Sequence, residues 1–385
     1  MNTQPKIKVL QAIRQGLIGG GESHVLGLVE QLDRTQFEPV VLSFSDGQMI
    51  RQLERMGIRH HVIPSGKAFD LRTARRIKSL LRDEQIDLVH AHGSRAASNL
   101  LMPARSLKLP MLYTIHGWSF HDDQPFLQKT IRVWSEKLLT SRVQRNISVS
   151  ASNQRTGQQH FSSFTSTVVN NGINLQKFHT LGTYPDIRQE LGIPAHHTLV
   201  GYIARITVQK DPFTLLHAFR EVVQHTQDIT LLVVGEGDLR NRTVALAGEL
   251  GIAGHIVFQD FREDVPAILQ ATDIYCLPSL WEGLPIGLLE AMATRNAVIV
   301  TNVDGSREII QHRQNGLVIP VQDRAALASA ILELHHNRSF RATLQEAALE
   351  SVRTHYSVEQ MTRRIEQQYL EVLAASRHRA GAVSL

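Results

Sequence analysis

Two glutamates in the stretch SLWEGLPIGLLEAMA, residues 279–293, form the most chemically distinctive pair in the chain. Glu282 and Glu290 stand eight positions apart, and in an unbroken helix they would lie about 12 Å apart along the axis. That separation is too large for a general acid–base couple. Pro285 suits the first turn of a helix, so we expect Glu282 in the preceding loop and Glu290 within the helix.

The turn between these glutamates predicts a diphosphate site. The amides near Gly287 and Leu288 would open the helix, and a helix N-terminus favours phosphate oxygens. A carboxylate in contact with the same phosphates would repel them, so each glutamate should instead accept hydrogen bonds from hydroxyl groups beside them. A nucleotide sugar offers a diphosphate with one sugar at either end. The alternative is a helix with two exposed glutamates.

Two cations follow another predicted strand, in the stretch YIARITVQKDP. Arg205 and Lys210 stand in a loop before a helix that opens at Pro212. A planar guanidinium and a point-charge ammonium in such a loop suit one diphosphate, and two solvated surface cations are the alternative. In VVGEGDL, we expect a tight turn that includes Gly235 and clears room beside the ligand.

Histidines end two strands of the N-terminal half. His116 lies beside a glycine in YTIHGW, and His90 and His92 end the preceding strand in LVHAHGS. We expect the side chains of His90 and His92 to point to opposite faces, which argues against a shared metal ion and makes them part of a cleft wall. The chain has no Asp-x-Asp motif, and no Cys/His cluster has zinc spacing. We therefore expect no metal and no other cofactor.

The composition is that of a globular protein with two domains. The chain has 385 residues, of which 42% are hydrophobic and 20% charged. No apolar run approaches the roughly 20 residues of a membrane span, and the polar start does not read as a signal peptide. With Cys276 as the single cysteine, no internal disulfide is possible, which favours the reducing cytoplasm.

Charge is unevenly distributed along the chain. Residues 1–180 carry a net charge of +10 and residues 181–385 carry −5, which indicates an anionic partner for the first half. The segments 72–82 and 126–142 are basic amphipathic helices, and the second contains Trp134. We expect peripheral attachment to an anionic membrane surface at the inner face of the cytoplasmic membrane. Ordinary solvated helices with a buried tryptophan are the alternative, and without a recognised motif nucleic acid is not an expected partner.

Short β-branched runs alternate with amphipathic segments along most of the chain, which predicts parallel sheets covered by helices. We predict an α/β protein with two doubly wound Rossmann-like domains facing a cleft, at residues 1–178 and 183–355. A helix at about 360–385 would pack back on the first domain. Ligands of such sheets bind beyond the carboxyl ends of the strands, where most of the residues singled out above stand.

In this order, the motifs resemble those of retaining GT-B glycosyltransferases, in particular glycosyltransferase family 4. The likeness runs along nearly the whole chain and includes the E-x7-E spacing of Glu282 and Glu290. It also includes GGGE near the start, HGW from His116, NNGINLQKF at 170–178, ARITVQKD at 204–211, GEGDL, and NGLVIP at 315–320. One departure is Arg295, which replaces the usual glycine after EAMA and puts the helix C-terminal turn in doubt.

The resemblance implies metal-independent, retaining transfer from a nucleotide sugar, expected to be UDP-linked, to a glycan or lipid-linked acceptor. The expected pathway is cell-surface polysaccharide or lipopolysaccharide biosynthesis. Glu290 would hold the ribose hydroxyls, Glu282 the sugar hydroxyls, and Arg205 with Lys210 the diphosphate. The further implied site residues are His116, in contact with the transferred sugar, and the donor-binding Gly20, Gly235, Gly283, Gly287 and Leu288.

Two alternatives to a glycosyltransferase remain. A nucleotide-sugar epimerase shares the double α/β architecture, and a non-catalytic glycosyltransferase-like subunit would share the fold without the activity. The presence of Glu282, Glu290, Arg205 and Lys210 argues against the non-catalytic subunit.

Overall fold

The computed structural model describes residues 5–16, 19–120, 124–178 and 184–382. The chain divides into two compact units, one formed by Met1–Gly172 with Val358–Leu385 and the other by Ile173–Ser357. In both units parallel strands alternate with helices. The predicted α/β fold class is confirmed.

Unit 1 contains a parallel sheet covered by helices. Its strands are β1 (Ile7–Ile13), β2 (Phe37–Ser43), β3 (Arg59–Val62), β4 (Leu88–His92), β5 (Met111–Ile115), β6 (Arg145–Ser148) and β7 (Thr167–Val168). Its helices before the first boundary are α1 (Gly20–Gln31), α2 (Gln48–Arg55), α3 (Leu71–Asp83), α4 (Ser94–Ser106), α5 (Phe126–Thr140) and α6 (Ala151–His160). The described strands are ordered β3-β2-β1-β4-β5-β6-β7. The strand order therefore reverses between β1 and β4, where ligand sites of such sheets form.

Unit 2 repeats this design. Its strands are β8 (Thr198–Ile203), β9 (Ile229–Val234), β10 (Ile256–Gln259), β11 (Ile274–Leu277), β12 (Ala297–Thr301) and β13 (Leu317–Ile319). Its helices are α7 (Ile187–Glu190), α8 (Pro212–His225), α9 (Arg240–Glu249), α10 (Val265–Ala271), α11 (Ile286–Ala293), α12 (Asp304–Ile309), α13 (Arg324–His336) and α14 (Arg338–His355). The described strands are ordered β10-β9-β8-β11-β12-β13. Here the reversal lies between β8 and β11.

The C-terminal helix α15 (Val358–Ala382) belongs to unit 1. Its buried apolar side chains recur every three or four positions, which places them on one helix face. They are Val358, Met361, Ile365, Tyr369 and Val372. This face packs on a core cluster from the sheet and α1, so the sequence far from the N-terminus completes the core of the first unit.

The boundaries of unit 2 are tied together by its own backbone. The Ile173 N–H donates to the Tyr356 carbonyl at 2.9 Å, and Ile173 forms an isolated parallel bridge with Ser357. Unit 1 therefore ends at Gly172, before the predicted boundary at 178. Unit 2 continues two residues beyond the predicted end at 355.

Helix α11 ends in a left-handed turn, although the usual glycine is absent. Arg295 adopts a φ of 58°, and its N–H donates to the Met292 carbonyl at 3.2 Å. The Asn296 N–H reaches the Ala291 carbonyl at 3.0 Å. The turn that Arg295 put in doubt is thus formed, with an arginine in a conformation that glycine adopts at lower cost.

One face of α5 is exposed and apolar. Its exposed side chains are Phe126 (85%), Leu127 (71%), Ile131 (61%), Trp134 (67%) and Leu138 (42%). The expectation of a buried tryptophan in segment 126–142 is therefore wrong, because Trp134 is exposed. Helix α4 packs against both α5 and the basic α3. No helix among the described residues combines the length and apolarity needed to cross a membrane.

Candidate functional site

In unit 2, the loops after β8 and β11 are joined beside the strand-order reversal. The Gln209 carbonyl accepts from the Leu280 N–H at 2.8 Å, and the Gln209 side-chain amide donates to the Trp281 carbonyl at 2.9 Å. Lys210 and Glu282 are the next residues along these two loops. The crosslink through Gln209 therefore brings their side chains together.

Lys210 and Glu282 form a largely buried ion pair between Nζ and Oε1, with side chains 16% and 6% exposed. The Ser279 hydroxyl also donates to Oε1 of Glu282, at 2.6 Å. An ammonium has three N–H donors, so one bond to Glu282 leaves two donors for phosphate oxygens. Within the described part of the chain, Oε2 of Glu282 has no hydrogen-bond partner and is free for a ligand hydroxyl.

Arg205 follows β8 and is exposed. Among the described residues its guanidinium makes no ion pair. The glycine turn after β9 packs closely against this loop. A Cβ on Gly235 would lie 2.1 Å from the Ala204 carbonyl oxygen. A Cβ on Gly237 would lie 2.2 Å from the Ile206 carbonyl oxygen. Gly235 thus packs against the backbone that carries Arg205.

Helix α11 presents its first turn at the end of the same loop. Pro285 is the N-cap residue, so the amides of Ile286, Gly287 and Leu288 have no helical acceptors. A Cβ on Gly287 would stand 3.0 Å from the Tyr275 hydroxyl oxygen. The small residue keeps this turn open, and the free amides are suited to bind an anion.

Glu290 lies in the second turn of α11, and its carboxylate has no partner among the described residues. Burial raises its pKa to about 7, and the charge of Lys177 opposes this rise. A carboxylate without donors is a costly group to bury. Ligand hydroxyls would supply the missing donors.

Gly283 follows Glu282 in the loop and is pressed against the start of α12. A Cβ on Gly305 would lie 2.2 Å from the Gly283 carbonyl oxygen. Close packing at Gly305 therefore fixes the path of the loop that carries Glu282.

In unit 1, four histidines form a buried cluster at the carboxyl ends of β1, β4 and β5. The His92 Nδ1 lies 3.2 Å from His116 Nε2, and His92 Nε2 lies 2.9 Å from the side-chain oxygen of Gln11. His24, on α1, places Nδ1 at 2.9 Å from the side-chain oxygen of Asn171. The cluster is therefore held by neutral polar partners.

The prediction that His90 and His92 point to opposite faces was wrong. Their ring centroids are 4.1 Å apart, because residues two positions apart on a strand share a face. His90 is fully buried and bonds Thr114 at 2.7 Å. It is part of the interior and does not form an exposed wall.

The glycine-rich first turn of α1 lies beside this cluster. Gly20 begins the helix, and a Cβ on Gly21 would lie 3.6 Å from the His116 ring. In unit 1, therefore, Gly21 lies beside His116, whereas a Cβ on Gly20 would meet nothing within 4 Å. Unit 2 holds the other predicted site residues: Glu282, Arg205, Lys210, Glu290, Gly287, Leu288, Gly283 and Gly235.

Burial keeps the histidine cluster uncharged. It lowers the pKa of His24 to about 4, and burial with neighbouring histidines lowers the pKa values of His90, His92 and His116 well below 6.5. Two buried ring nitrogens, His24 Nε2 and His116 Nδ1, have no hydrogen-bond partner among the described residues.

Among the residues that the structure describes, two groups of side chains have the spacing to hold a cation. One nitrogen from each of His24, His92 and His116 lies within 4.8 Å of the others. The second group is His196, His197 and Asp228, which is largely exposed. The expected absence of a metal stays a prediction.

Sequence reasoning missed the residues that hold these groups in place. In unit 2 they are Gln209, Ser279 and Tyr275, and in unit 1 they are Gln11, His24 and Tyr369. Ser279 stands three positions before Glu282, which is a usable local signal. Tyr369 and Gln11 are 358 positions apart, and no local pattern connects them.

Comparison with known proteins covers both units. Residues 183–351 match the family described as glycosyl transferases group 1, and residues 18–177 match glycosyltransferase family 4. The chain is 24% identical to the Escherichia coli UDP-Gal:alpha-D-GlcNAc-diphosphoundecaprenol alpha-1,3-galactosyltransferase, covering 86% of this chain and 89% of that protein. It is 27% identical to the phosphatidyl-myo-inositol mannosyltransferase of Mycobacterium leprae, covering 87% and 88%. The crystal structure of Anabaena HepE in complex with UDP-glucose matches with a TM-score of 0.84 and 21% identity, covering 95% of this chain and 100% of that one.

Proposed function

Because the chain belongs to glycosyltransferase family 4 and has the GT-B fold, we propose that it is a retaining glycosyltransferase using a UDP-linked sugar. The observation that carries the proposal is the grouping in unit 2. Lys210 and Glu282 form an ion pair between two loops that are joined by hydrogen bonds of Gln209. Arg205 lies in the loop of Lys210, and Glu290 lies in the second turn of α11, which begins just after the loop of Glu282. Cations and amides suit a diphosphate, and the two carboxylates suit hydroxyls.

In the proposed reaction, the bond between the anomeric carbon and the leaving phosphate oxygen breaks. A bond to the acceptor oxygen forms on the same face of the sugar, and the acceptor proton passes to the leaving phosphate oxygen. Negative charge grows on the diphosphate, where Arg205 and Lys210 stabilise it more strongly than in the ground state. Since two side-chain cations supply this charge, we propose transfer without a metal ion.

We also propose donor-binding roles for the remaining residues that the resemblance implies. Glu290 would accept from the ribose hydroxyls, and Oε2 of Glu282 from hydroxyls of the transferred sugar. The amides of Gly287 and Leu288 would bind phosphate oxygens. The other proposed contacts come from His116, Gly20, Gly235 and Gly283.

A glycan or lipid-linked acceptor is proposed from the relatives. The names of the Escherichia coli and Mycobacterium leprae proteins specify a diphosphoundecaprenol-linked sugar and phosphatidyl-myo-inositol. Both acceptors carry lipid tails. We place the reaction in cell-surface polysaccharide or lipopolysaccharide biosynthesis, at the cytoplasmic side of the membrane.

The exposed face of α5 supports peripheral attachment to that membrane. Phe126, Ile131 and Trp134 would enter the interface between headgroups and acyl chains, and exposed arginines of α3 such as Arg72 and Arg75 would attract anionic lipid. Co-sedimentation with anionic and zwitterionic vesicles at several salt concentrations tests this. Phe126→Ser with Trp134→Ser should abolish binding, whereas Val321→Ser, on an exposed valine of unit 2, should not. Equal binding of both variants would contradict a role for α5.

Donor recognition is tested by thermal unfolding with a panel of nucleotide sugars, because a ligand of the folded state raises the melting temperature. One UDP-sugar should protect the protein and then support transfer to a lipid-linked acceptor. Epimerised UDP-sugar without an acceptor would favour an epimerase. Absence of nucleotide binding in calorimetry would favour a non-catalytic subunit.

A further inference from the structure

A path of buried hydrogen bonds joins the C-terminal helix α15 to His116. The side-chain amide of Gln11 donates to the Tyr369 hydroxyl at 2.9 Å. The side-chain oxygen of Gln11 lies 2.9 Å from His92 Nε2, and His92 Nδ1 lies 3.2 Å from His116 Nε2. Gln11, His92 and Tyr369 are all buried.

The direction of this path follows from its members. The Gln11 amide nitrogen faces Tyr369, so the Gln11 oxygen faces His92 and can only accept. His92 therefore carries its proton on Nε2 and has a lone pair on Nδ1. That lone pair must accept from His116, which places the His116 proton on Nε2 and leaves Nδ1 as an acceptor.

The Tyr369 hydroxyl is satisfied on both sides in this arrangement. It accepts from Gln11 and lies 2.7 Å from His90 Nδ1, to which it donates. His90 Nε2 then donates to the Thr114 hydroxyl at 2.7 Å. Burial lowers the pKa values of the three histidines, so each ring is neutral and has one donor and one acceptor.

The path ends at His116 Nδ1. His116 Nδ1 is buried and has no hydrogen-bond partner among the described residues. Buried polar atoms in folded proteins nearly always have partners. A lone pair at this position therefore fits a donor that arrives with a ligand.

We propose that Tyr369 is a positioning residue that holds His116 in the Nε2–H tautomer, so that Nδ1 accepts from a hydroxyl of the bound sugar. The tautomer assignment depends only on the hydrogen bonds of unit 1. The identity of the hydroxyl donor rests on the proposed function. The residue acts through Gln11 and His92 and does not touch the substrate.

The tautomer is measured by NMR of the full chain labelled with 15N at histidine, since protonated and lone-pair ring nitrogens differ strongly in 15N shift. Wild-type His116 should have its proton on Nε2. Tyr369→Phe removes the acceptor of the Gln11 amide and frees that amide to turn over, so His92 and His116 should become tautomer mixtures. A wild-type His116 protonated on Nδ1, or an unchanged tautomer in Tyr369→Phe, would overturn the proposal.

A matched control lies one position away on the same helix. Gln368 accepts from the Thr167 hydroxyl at 3.0 Å, so Gln368→Leu also removes one hydrogen bond between α15 and the sheet. Tyr369→Phe should lower kcat/KM about five- to tenfold, the effect of about one hydrogen bond, while Gln368→Leu leaves both the tautomer and kcat/KM unchanged. Equal losses in both variants would indicate a merely structural role and overturn the proposal.

The histidine tautomer and the rate of sugar transfer are measured separately, so failure of this proposal can be told from failure of the proposed function. A tautomer change in Tyr369→Phe, in a protein that transfers no sugar, supports the path and contradicts the glycosyltransferase. Zinc added to metal-free wild type is a further arm. If the ordered histidine signals of the wild-type protein appear only after zinc is added, His24, His92 and His116 form a metal site. The hydrogen-bond path is then wrong.

Discussion

Units 1 and 2 place chemically different groups at equivalent positions. In unit 1 neutral histidines of β4, α1 and the end of β5 lie close together, and several of them bond to side-chain amides and hydroxyls. In unit 2 the loops after β8 and β11 carry Lys210, Glu282 and Arg205, and Arg205 makes no ion pair with any described residue. The same sheet topology thus supports an uncharged cluster in one unit and a charged site in the other.

The difference shows how each environment controls charge. Deep burial among other histidines lowers the pKa of His92, so that its ring is neutral and carries one proton. In unit 2, Lys210 and Glu282 form an ion pair at low exposure, whereas Glu290 has no hydrogen-bond partner among the described residues and burial raises its pKa to about 7. Binding of a charged diphosphate should therefore depend on unit 2.

The largest effect is expected from removing the ammonium group of Lys210 in unit 2. Lys210→Ala should lower kcat by about 10³-fold, because the variant lacks the preorganised positive charge that stabilises the leaving diphosphate. Initial rates of sugar transfer measure this. Arg307→Ala, which breaks an exposed pair with Asp304, is the control and should leave kcat unchanged.

A double variant separates catalysis from folding at this pair. Lys210→Ala leaves the buried Glu282 carboxylate unpaired, which should cost about 3 kcal/mol in the free energy of unfolding. Lys210→Ala with Glu282→Gln should recover most of that stability in urea unfolding, but no activity. Recovery of activity would show that Lys210 serves only as the partner of Glu282.

The next effect concerns the pH dependence of UDP binding. Glu290 must be ionised to accept from two ribose hydroxyls, and its pKa is about 7 in the free protein. UDP affinity should therefore fall about tenfold from pH 8 to pH 6, as the ionised fraction falls by that factor. The variant Glu290→Gln lacks this ionisable group, so the pH dependence of its UDP affinity, measured by titration calorimetry, comes from UDP itself. An unchanged difference between the two pH values in Glu290→Gln would contradict the assignment.

The unit 1 cluster predicts a pH dependence of stability. The pKa of His24 is about 4 in the folded protein and near 6.5 when unfolded, so between these values only the unfolded state takes up the proton. Stability should fall as pH falls through this window, and His24 should account for about 1.4 kcal/mol at pH 5.5. Urea unfolding of His24→Leu at pH 7.5 and about pH 5.5 should show a smaller drop than wild type. His196→Gln, at an exposed histidine, should show the wild-type drop.

The smallest effect tests strain at the end of α11. Arg295→Gly should raise the free energy of unfolding by about 0.5–1 kcal/mol, because glycine adopts the left-handed conformation without a Cβ penalty. Arg295→Ala also loses the exposed contact with Glu346, 3.2 Å long, but keeps the backbone strain. Only the glycine variant should be stabilised in thermal unfolding. Stabilisation of both would assign the effect to the arginine side chain.

Much of the fold was predictable because its signals are local. The β-branched runs and the helical segments between them predicted the strands of both sheets, and polarity marked the region of the domain boundary. The positions of Glu282 before α11 and Glu290 within it followed from Pro285. These features depend on neighbours within a few residues.

The residues that hold the site in place were not predictable in this way. Gln209 contacts a loop 72 positions away, and Tyr369 reaches back across most of the chain to Gln11. Helical periodicity also could not decide whether Trp134 is buried or exposed to solvent, since both arrangements give an amphipathic helix. The orientation of His90 and His92 was wrong because the two-residue period of a strand was misapplied.

The central claim is retaining transfer from a UDP-sugar, and the anomeric configuration of the product tests it most directly. The donor that protects the protein from unfolding should be incubated with a lipid-linked acceptor and the new linkage examined by NMR. An α-linked UDP-sugar should give an α-glycoside at the first time points. A β-glycoside would contradict the account.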